Sequence, residues 1–250
     1  MTILVTGGSR GIGEAIVRAL HRTGHAVLFS YATQRERAEA IVRELGDRVG
    51  CARCDLAEAD TLSVLVDGTV RRFGSLDVLV NNAAIFEENP FEGDDFARWT
   101  EGWQRTFAIN LFGAANLSWL AMRKMRERPP QPNGTRGRII NIASRAAHRG
   151  ELTYADYGAS KAALVNLTKS IARGCAKDGI VAFAVAPGFI ETEMAAGELA
   201  RDRAQVEAEI PLGRVGTPDD VARIVALLAS GEADYATGTT IDVNGASYVR

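Results

Sequence analysis

Short apolar runs alternate along the chain with longer segments that mix apolar and polar residues. Runs such as ILVT at 3–6 and IVAFAVA at 180–186 are apolar without alternation, which is typical of strands covered on both faces. The pattern predicts seven strands, at 3–6, 26–31, 49–54, 76–80, 138–143, 180–186 and 239–243. It predicts helices between them at 11–22, 35–45, 59–73, 104–127, 158–177 and 218–229.

Strands that are each followed by a helix imply a parallel sheet, because right-handed crossover connections place the helices on its faces. We therefore expect an α/β protein with a Rossmann-type, doubly wound parallel sheet of about seven strands and helices on both faces. The 250 residues contain no composition shift that marks a linker, so residues 1–250 are expected to form a single domain.

Composition narrows the classes of function. The chain is 46% hydrophobic with a formal net charge of −2, which gives no whole-chain electrostatic attraction to nucleic acid or to an anionic membrane. The start, MTILVTGG, lacks the features of a signal peptide, and no run is long enough for a membrane span, so we expect a cytoplasmic protein. Cys51, Cys54 and Cys175 lack the second ligand pair of a zinc site, so we expect free thiols and no metal.

Residues suited to ligand binding follow four of the predicted strands. Parallel sheets bind ligands beyond the carboxyl ends of their strands, where TGGSRGIG (6–13), NNAA (81–84), Ser144 and PGFIET (187–192) would meet. The glycines of the first segment permit a tight turn near a phosphate, and the helix that follows presents its N-terminal amides to that anion. Alone, such a turn also serves S-adenosylmethionine methyltransferases and structural corners, and its glycine spacing departs from G-x-G-x-x-G.

The stretch YADYGASKAAL (154–164) places a phenol beside an ammonium. In a helix, Tyr157 lies one turn before Lys161, whereas Tyr154 lies two turns before it. An ammonium about 4 Å from the phenol, at an effective dielectric of about 20, would favour the phenolate by roughly 4 kcal/mol, or about three pKa units. We therefore expect the pKa of Tyr157 to lie below that of a free phenol, which suits general acid/base catalysis.

In order and spacing, these motifs are similar to those of the short-chain dehydrogenase/reductase family, from residue 3 to about residue 246. The resemblance implies that Tyr157 exchanges a proton with the carbonyl or alcohol oxygen, and that Ser144 hydrogen-bonds the same oxygen. It implies that Lys161 lowers the pKa of Tyr157 and holds the nicotinamide ribose, and that Asn110, in FAINLFG, anchors a water in a proton relay to that lysine. The cofactor-binding residues that it implies are Gly7, Ser9, Arg10, Gly11, Ile12, Gly13, Tyr31, Thr33, Asp55, Leu56, Asn82, Ala83, Tyr157, Lys161, Pro187, Gly188, Ile190 and Thr192.

Within the family, the chain most resembles 3-oxoacyl-carrier-protein reductases. This implies a small carbonyl or alcohol substrate, with a carrier-protein thioester as one form of it; the charge balance and the lack of a long apolar run predict no nucleic-acid or membrane partner. It also implies a homotetramer paired through helices 104–127 and 158–177. A sugar-alcohol or other secondary-alcohol dehydrogenase is the alternative substrate class, and a nucleotide-sensing protein without turnover is the alternative of another class.

The end of the second predicted strand indicates which cofactor is used. NAD-specific sheets of this kind usually carry a carboxylate there that bonds the adenosine ribose. Here the strand ends FSYATQRER, with no acid before Glu36. A 2′-phosphate would instead meet Arg10 in the glycine turn, with Thr33, Gln34, Arg35 and Arg37 nearby. We therefore predict that NADP(H) is preferred over NAD(H).

Overall fold

The computed structural model describes residues 1–197 and 199–250. Seven parallel strands form one sheet in the order β3-β2-β1-β4-β5-β6-β7. The strands are β1 (Thr2–Val5), β2 (Ala26–Tyr31), β3 (Val49–Arg53), β4 (Val78–Asn81), β5 (Gly137–Ile142), β6 (Ile180–Pro187) and β7 (Thr240–Val243). The helices are α1 (Gly11–Arg22), α2 (Arg35–Leu45), α3 (Ala59–Phe73), α4 (Phe96–Phe107), α5 (Ala114–Arg126), α6 (Ala155–Cys175), α7 (Ala196–Ala208) and α8 (Pro218–Ser230). The predicted fold class is confirmed.

Successive residues of the central strands face opposite layers of helices. In β1, Ile3 and Val5 belong to a core that includes residues of α1, α2 and α8. Leu4, between them, belongs to a second core with residues of α3, α5 and α6. Because both faces of the sheet are covered, every position of β1 is buried, which explains the apolar runs without alternation.

Ion pairs close the edge of the sheet where the strands begin, which we call the amino edge. Arg138 in β5 is 1% exposed, and its guanidinium donates to both carboxylate oxygens of Asp234 at 2.7 Å. Asp77, just before β4, accepts the backbone amide of Thr2 at 2.5 Å and pairs with Arg128. These contacts lie opposite the carboxyl ends of the strands, so they stabilise the scaffold without entering the expected ligand site.

The structure corrects the predicted helix 104–127. The helical run begins at Phe96, where the carboxylate of Asp95 accepts the backbone amide of Arg98 at 2.9 Å. It is interrupted by a π-helical segment, Ala108–Gly113, that joins α4 to α5. Helix α6 begins at Ala155 rather than at residue 158, and α7 is absent from the predicted helices. No helix in the two described ranges is both long and apolar enough to cross a membrane.

Candidate active site

The carboxyl ends of β1, β4, β5 and β6 surround a cleft of about 640 Å³. It lies where the strand order reverses, between β1 and β4, which is the position that open α/β sheets use for ligands. The residues predicted to bind the cofactor all line this cleft, as do Ser144, Tyr157 and Lys161. Asn110 is predicted to be catalytic but lies behind the cleft wall, 1% exposed.

The glycine-rich turn after β1 leaves no space for larger residues. Gly7 and Gly11 have positive φ angles of 67° and 55°. A Cβ atom on Gly13 would lie 2.0 Å from the carbonyl oxygen of Gly7. The side-chain amide of Asn82 donates to the carbonyl oxygens of Thr6 and Gly7 at 2.9 and 3.2 Å. The turn is therefore held in a conformation that brings backbone close to a ligand in the cleft.

The N-terminus of α1 opens onto the same cleft. Arg10 is the N-cap residue of α1 and makes no side-chain capping hydrogen bond. The first helical residues, Gly11, Ile12 and Gly13, line the cleft. A helix N-terminus without a side-chain cap attracts an anion through its amides and its dipole. Together with the glycine turn, this arrangement fits the pyrophosphate of a dinucleotide.

Ser144 lies at the carboxyl end of β5, in extended backbone conformation. Its hydroxyl oxygen accepts the backbone amide of Ala146 at 3.1 Å, which starts a short 3-10 turn. The hydroxyl also hydrogen-bonds the phenol of Tyr157 and lowers the pKa of that group. Ser144 and Tyr157 therefore face the same point in the cleft.

The ammonium of Lys161 makes its hydrogen bond to the main chain. Lys161 is 2% exposed, and its Nζ atom donates to the carbonyl oxygen of Ile142 at 2.8 Å. The same atom lies over the ring of Tyr157, 5.6 Å from the ring centroid. The ring of Phe86 meets that of Tyr157 edge to face, with centroids 4.8 Å apart. Lys161 is thus buried between the ring of Tyr157 and the end of β5, whereas Tyr157 is half-buried and lines the cleft.

The pKa values of this pair differ from the sequence-based expectation. Burial raises the pKa of Tyr157 to about 12, while the Ser144 hydroxyl partly opposes the rise. Burial lowers the pKa of Lys161 to about 8. The expected fall in the pKa of Tyr157 is wrong for this arrangement, because desolvation of the phenolate outweighs the hydrogen bond from Ser144, and the Lys161 ammonium donates to a main-chain carbonyl instead. At neutral pH Tyr157 therefore carries its proton.

Asn110 lies in the π-helical segment between α4 and α5. Its side-chain oxygen accepts the backbone amide of Ile85 at 2.9 Å, and its side-chain nitrogen donates to the Ile85 carbonyl at 3.0 Å. The same nitrogen contacts the hydroxyl of Ser160 in α6 at 3.3 Å. Asn110 therefore fixes Ile85, which does line the cleft, and joins this wall to the helix of Tyr157.

The end of β2 and the residues after it carry the uncharged side chains that the sequence predicts near the adenosine ribose. Tyr31, Thr33 and Gln34 line the cleft, as does Arg10 across from them. Arg35 does not join them, because its guanidinium donates to Glu39 of the same helix at 2.7 Å. The predicted group of arginines near the ribose is therefore smaller than the sequence indicates.

Sequence reasoning missed a carboxylate among the predicted phosphate-binding arginines. Glu193, after β6, accepts a hydrogen bond from Arg10 at 3.1 Å and another from Arg37 at 2.6 Å. It directly follows the segment PGFIET, but no local pattern indicates that its carboxylate reaches α2. The same limit applies to the aromatic wall, where Phe86 stacks on Tyr154 with centroids 3.8 Å apart.

The cysteines show no sign of a shared site. Cys51, Cys54 and Cys175 are all free thiols, and burial raises the pKa of Cys51 and of Cys54. In the part of the chain that the structure describes, no three His, Cys, Asp or Glu side chains are grouped to hold a metal ion.

The fold and the cleft define a dinucleotide-binding α/β enzyme. Residues 7–246 match the family model described as Enoyl-(Acyl carrier protein) reductase. The chain belongs to the short-chain dehydrogenase/reductase family. It is therefore an NAD(P)-dependent oxidoreductase acting on CH–OH and keto groups, which excludes the methyltransferase and the sensor without turnover.

Named relatives cover the chain almost completely. It is 40% identical over 250 residues to 3-oxoacyl-[acyl-carrier-protein] reductase FabG of Staphylococcus aureus (strain Mu50 / ATCC 700699), covering 98% of this chain and 97% of the relative. It is 38% identical over 251 residues to acetoacetyl-CoA reductase of Rhizobium meliloti (strain 1021), covering 98% and 97%. A crystal structure of a protein named short-chain dehydrogenase/reductase SDR:Glucose/ribitol dehydrogenase, from Brucella melitensis, superposes with a TM-score of 0.90 at 33% identity, covering 100% and 97%.

Proposed function

We propose that the chain is an NADP(H)-dependent reductase of 3-oxoacyl thioesters in which Tyr157 is the general acid/base. The observation that carries this proposal is the convergence of Ser144, Tyr157 and Lys161 on the cleft that contains the glycine-rich turn. The thioester class is supported by the relatives named as 3-oxoacyl-[acyl-carrier-protein] reductase and acetoacetyl-CoA reductase.

Tyr157 delivers the proton in this mechanism, while the bound nicotinamide supplies the hydride. Because its pKa is about 12, Tyr157 stays protonated at neutral pH and can donate to the substrate oxygen as negative charge develops there. The oxygen of Ser144 accepts the Ala146 amide, so the Ser144 proton can be donated to the same substrate oxygen. The two hydroxyls act together on one developing alkoxide.

Lys161 restores the proton and binds the ribose of the nicotinamide. With a pKa of about 8, its ammonium exchanges protons readily near neutral pH, which suits a relay that recharges Tyr157. Asn110 holds Ile85 through two hydrogen bonds. The family resemblance assigns to Asn110 the anchoring of a water of this relay. Asn110 therefore serves the proton supply, and Lys161 serves both the proton supply and the binding of the nicotinamide ribose.

Replacing Tyr157 by phenylalanine tests the catalytic assignment. Turnover should fall by at least about two orders of magnitude, because the general acid is removed, while cofactor binding persists. Turnover is followed by the ultraviolet absorbance of the reduced nicotinamide, with acetoacetyl-CoA as substrate. Tyr154→Phe is the matched control and should have a mild effect, because the Tyr154 ring stacks on Phe86 and keeps that contact as phenylalanine. Near-normal turnover by Tyr157→Phe would contradict the assignment.

Substrate class is tested on the unaltered enzyme with three families of compound. These are 3-oxoacyl thioesters, simple secondary ketones, and sugars with their sugar alcohols. We expect the thioester to be reduced with the highest kcat/KM. A higher value for the sugars, the class that appears in the name of the Brucella melitensis protein, would overturn the substrate proposal while leaving the role of Tyr157 intact.

The cofactor preference is tested by fluorescence titration with NADPH and NADH. Tyr31, Thr33 and Gln34 bring no negative charge toward a 2′-phosphate, and Arg10 offers a guanidinium that suits it. NADPH should bind at least about tenfold more tightly, roughly 1.4 kcal/mol, and Arg10→Ala should narrow the gap. Arg35→Ala is the control of equal charge and should leave the gap unchanged, because Arg35 pairs with Glu39. Equal or tighter NADH binding would refute the preference.

Assembly into a homotetramer is the remaining part of the proposal. Large apolar side chains are exposed along α4, the π-helical segment and α5, among them Phe96 at 76%, Phe112 at 56% and Trp119 at 55%. Such a row is costly in water and suits contact with a second copy. Light scattering at micromolar concentration should give four times the chain mass, and a particle of 26.8 kDa would refute the assembly.

A further inference from the structure

Glu193 lies between two of the arginines that the sequence predicts near a 2′-phosphate, of which Arg10 lines the cleft and Arg37 does not. One oxygen of its carboxylate is 3.1 Å from the guanidinium of Arg10, and the other is 2.6 Å from that of Arg37. Arg10 lies in the glycine turn after β1, whereas Arg37 belongs to α2. The carboxylate therefore joins the two elements between which a ribose 2′-phosphate would lie.

The hydrogen-bonding pattern around Glu193 is that of a bound oxyanion. Two separate oxygens each accept a charged N–H group, as two oxygens of a phosphate would. Arg37 uses its other terminal nitrogen on Glu14, at 3.1 Å, so its position does not depend on Glu193 alone. The hydrogen bonds from Arg37 and then Arg10 lower the pKa of Glu193, so this carboxylate is ionised at neutral pH.

We propose that Glu193 is a cofactor-specificity residue that occupies the 2′-phosphate subsite as an internal competitor. This inference rests on the proposed use of NADP(H). A 2′-phosphate can bind Arg10 and Arg37 only when Glu193 leaves them, and otherwise it meets a like charge at close range. NADH has no 2′-phosphate and requires no such release. Glu193 therefore weakens binding of NADPH and not of NADH.

The exposure of the three side chains sets the size of the effect. The side chains of Arg10, Glu193 and Arg37 are 54%, 55% and 43% exposed, so each ion pair is worth only about a factor of two. Two such pairs favour the arrangement in which Glu193 is bound to both arginines by about fourfold. In about one molecule in five the arginines are therefore free to bind the 2′-phosphate. Removing the competitor should then tighten NADPH binding about fivefold, or about 1 kcal/mol.

Glu193→Gln tests the proposal, and Glu191→Gln is its matched control. Both substitutions remove one negative charge from the same segment, but Glu191 pairs with Arg203 rather than with Arg10 or Arg37. Binding is measured by fluorescence titration with NADPH and NADH, and by calorimetry with 2′,5′-ADP, which carries the phosphate without a nicotinamide. Glu193→Gln should tighten NADPH and 2′,5′-ADP about fivefold and change NADH less than twofold. Glu191→Gln should change all three less than twofold.

Other results would overturn the inference. Weaker NADPH binding by Glu193→Gln would mean that the carboxylate positions the arginines for the phosphate, and an equal gain for NADH would mean a general charge effect. A failure of the Glu193 inference can be told apart from a failure of the proposed cofactor preference, because titrations of the unaltered protein alone decide that preference. If that protein binds NADH as tightly as NADPH, a selective gain in NADPH affinity by Glu193→Gln still supports the competitor.

Discussion

Replacing Lys161 by methionine should remove a pH-dependent part of the stability of this protein. Lys161 is 2% exposed, and burial lowers its pKa from 10.5 to about 8. Folding therefore moves an ammonium into surroundings that disfavour its charge, which lowers the free energy of unfolding wherever the unfolded lysine is protonated. Methionine has a similar length and no titrating group, so it fills the space without this cost.

The sign and size follow from the two pKa values. Between about pH 8 and 10.5 the unfolded state binds more protons at this residue than the folded state, so stability rises with pH there. Below about pH 8 both states are protonated, and the whole cost of about 3 kcal/mol is present; above pH 10.5 it disappears. Raising the pH from about 7.5 to about 9.5 should therefore add about 2 kcal/mol from Lys161.

Equilibrium urea unfolding, followed by circular dichroism, measures this contribution in the unliganded protein at one fixed concentration. Other groups titrate in both proteins, so the readout is the difference between their two pH responses. The lost hydrogen bond to Ile142 shifts the methionine variant equally at both pH values. Lys169→Met, an exposed position on the same helix, is the control and should respond to pH as the unaltered protein does.

One result would refute the reasoning about Lys161. The result would be that Lys161→Met gains as much stability between the two pH values as the unaltered protein. Folding would then not change the pKa of the Lys161 ammonium. The pKa of Lys161 would then be near its ordinary value, and the relay proposed for it would lose its physical basis.

Two further predictions concern the scaffold and the glycine turn. Asp234→Ala leaves the buried guanidinium of Arg138 without its partner and should cost about 3–5 kcal/mol by thermal or urea unfolding, whereas Asp178→Ala, at an exposed ion pair, should cost under about 1 kcal/mol. Gly13→Ala places a Cβ 2.0 Å from a carbonyl oxygen of the turn and should weaken NADPH binding at least about tenfold, or about 1.4 kcal/mol. Gly68→Ala, with open space around it in α3, should leave binding unchanged and add about 0.5–1 kcal/mol of stability. Equal losses of stability for Asp234→Ala and Asp178→Ala would contradict the first explanation. Equal NADPH affinities for Gly13→Ala and Gly68→Ala would contradict the second.

Strands such as β1 and β6 could be predicted because they are almost fully buried on both faces and read as continuous apolar runs. The sequence predicts a strand at 180–186 and the structure has Ile180–Pro187, a difference of one residue. The rim residues follow from the same reasoning, because parallel strands bring their carboxyl ends together wherever they fall in the sequence. These predictions depend only on burial and on connection geometry.

Helix α4 could not be predicted because its aromatic side chains do not form a core stripe. Trp99, Trp103 and Phe107 contact one another along the helix, with successive ring centroids 5.4 and 5.7 Å apart. None of the three is fully buried, so their spacing does not indicate which face meets the sheet. The π-helical segment that follows adds a residue to one turn and moves α5 out of phase with α4.

The ion pairs and pKa values of the site could not be predicted without the three-dimensional structure. The two ion pairs of Glu193 join residues 183 and 156 positions apart, a separation that no local pattern encodes. The spacing of Tyr157 and Lys161 correctly places them together, yet burial raises the pKa of Tyr157, and the Lys161 ammonium donates to the Ile142 carbonyl. Proximity could be read from the sequence, whereas desolvation and the choice of hydrogen-bond partner could not.

The amino edge of the sheet has a consequence for how this protein can change. Arg138 is buried and pairs with Asp234 at one end of the strands, while the cleft lies at the other end. Marginal stability and demanding chemistry usually compete for the same residues, so that gains in one erode the other. Here they occupy opposite ends of one sheet. Selection for heat resistance can therefore work on the amino edge, and selection for new substrates can reshape the cleft loops, with little antagonism between them.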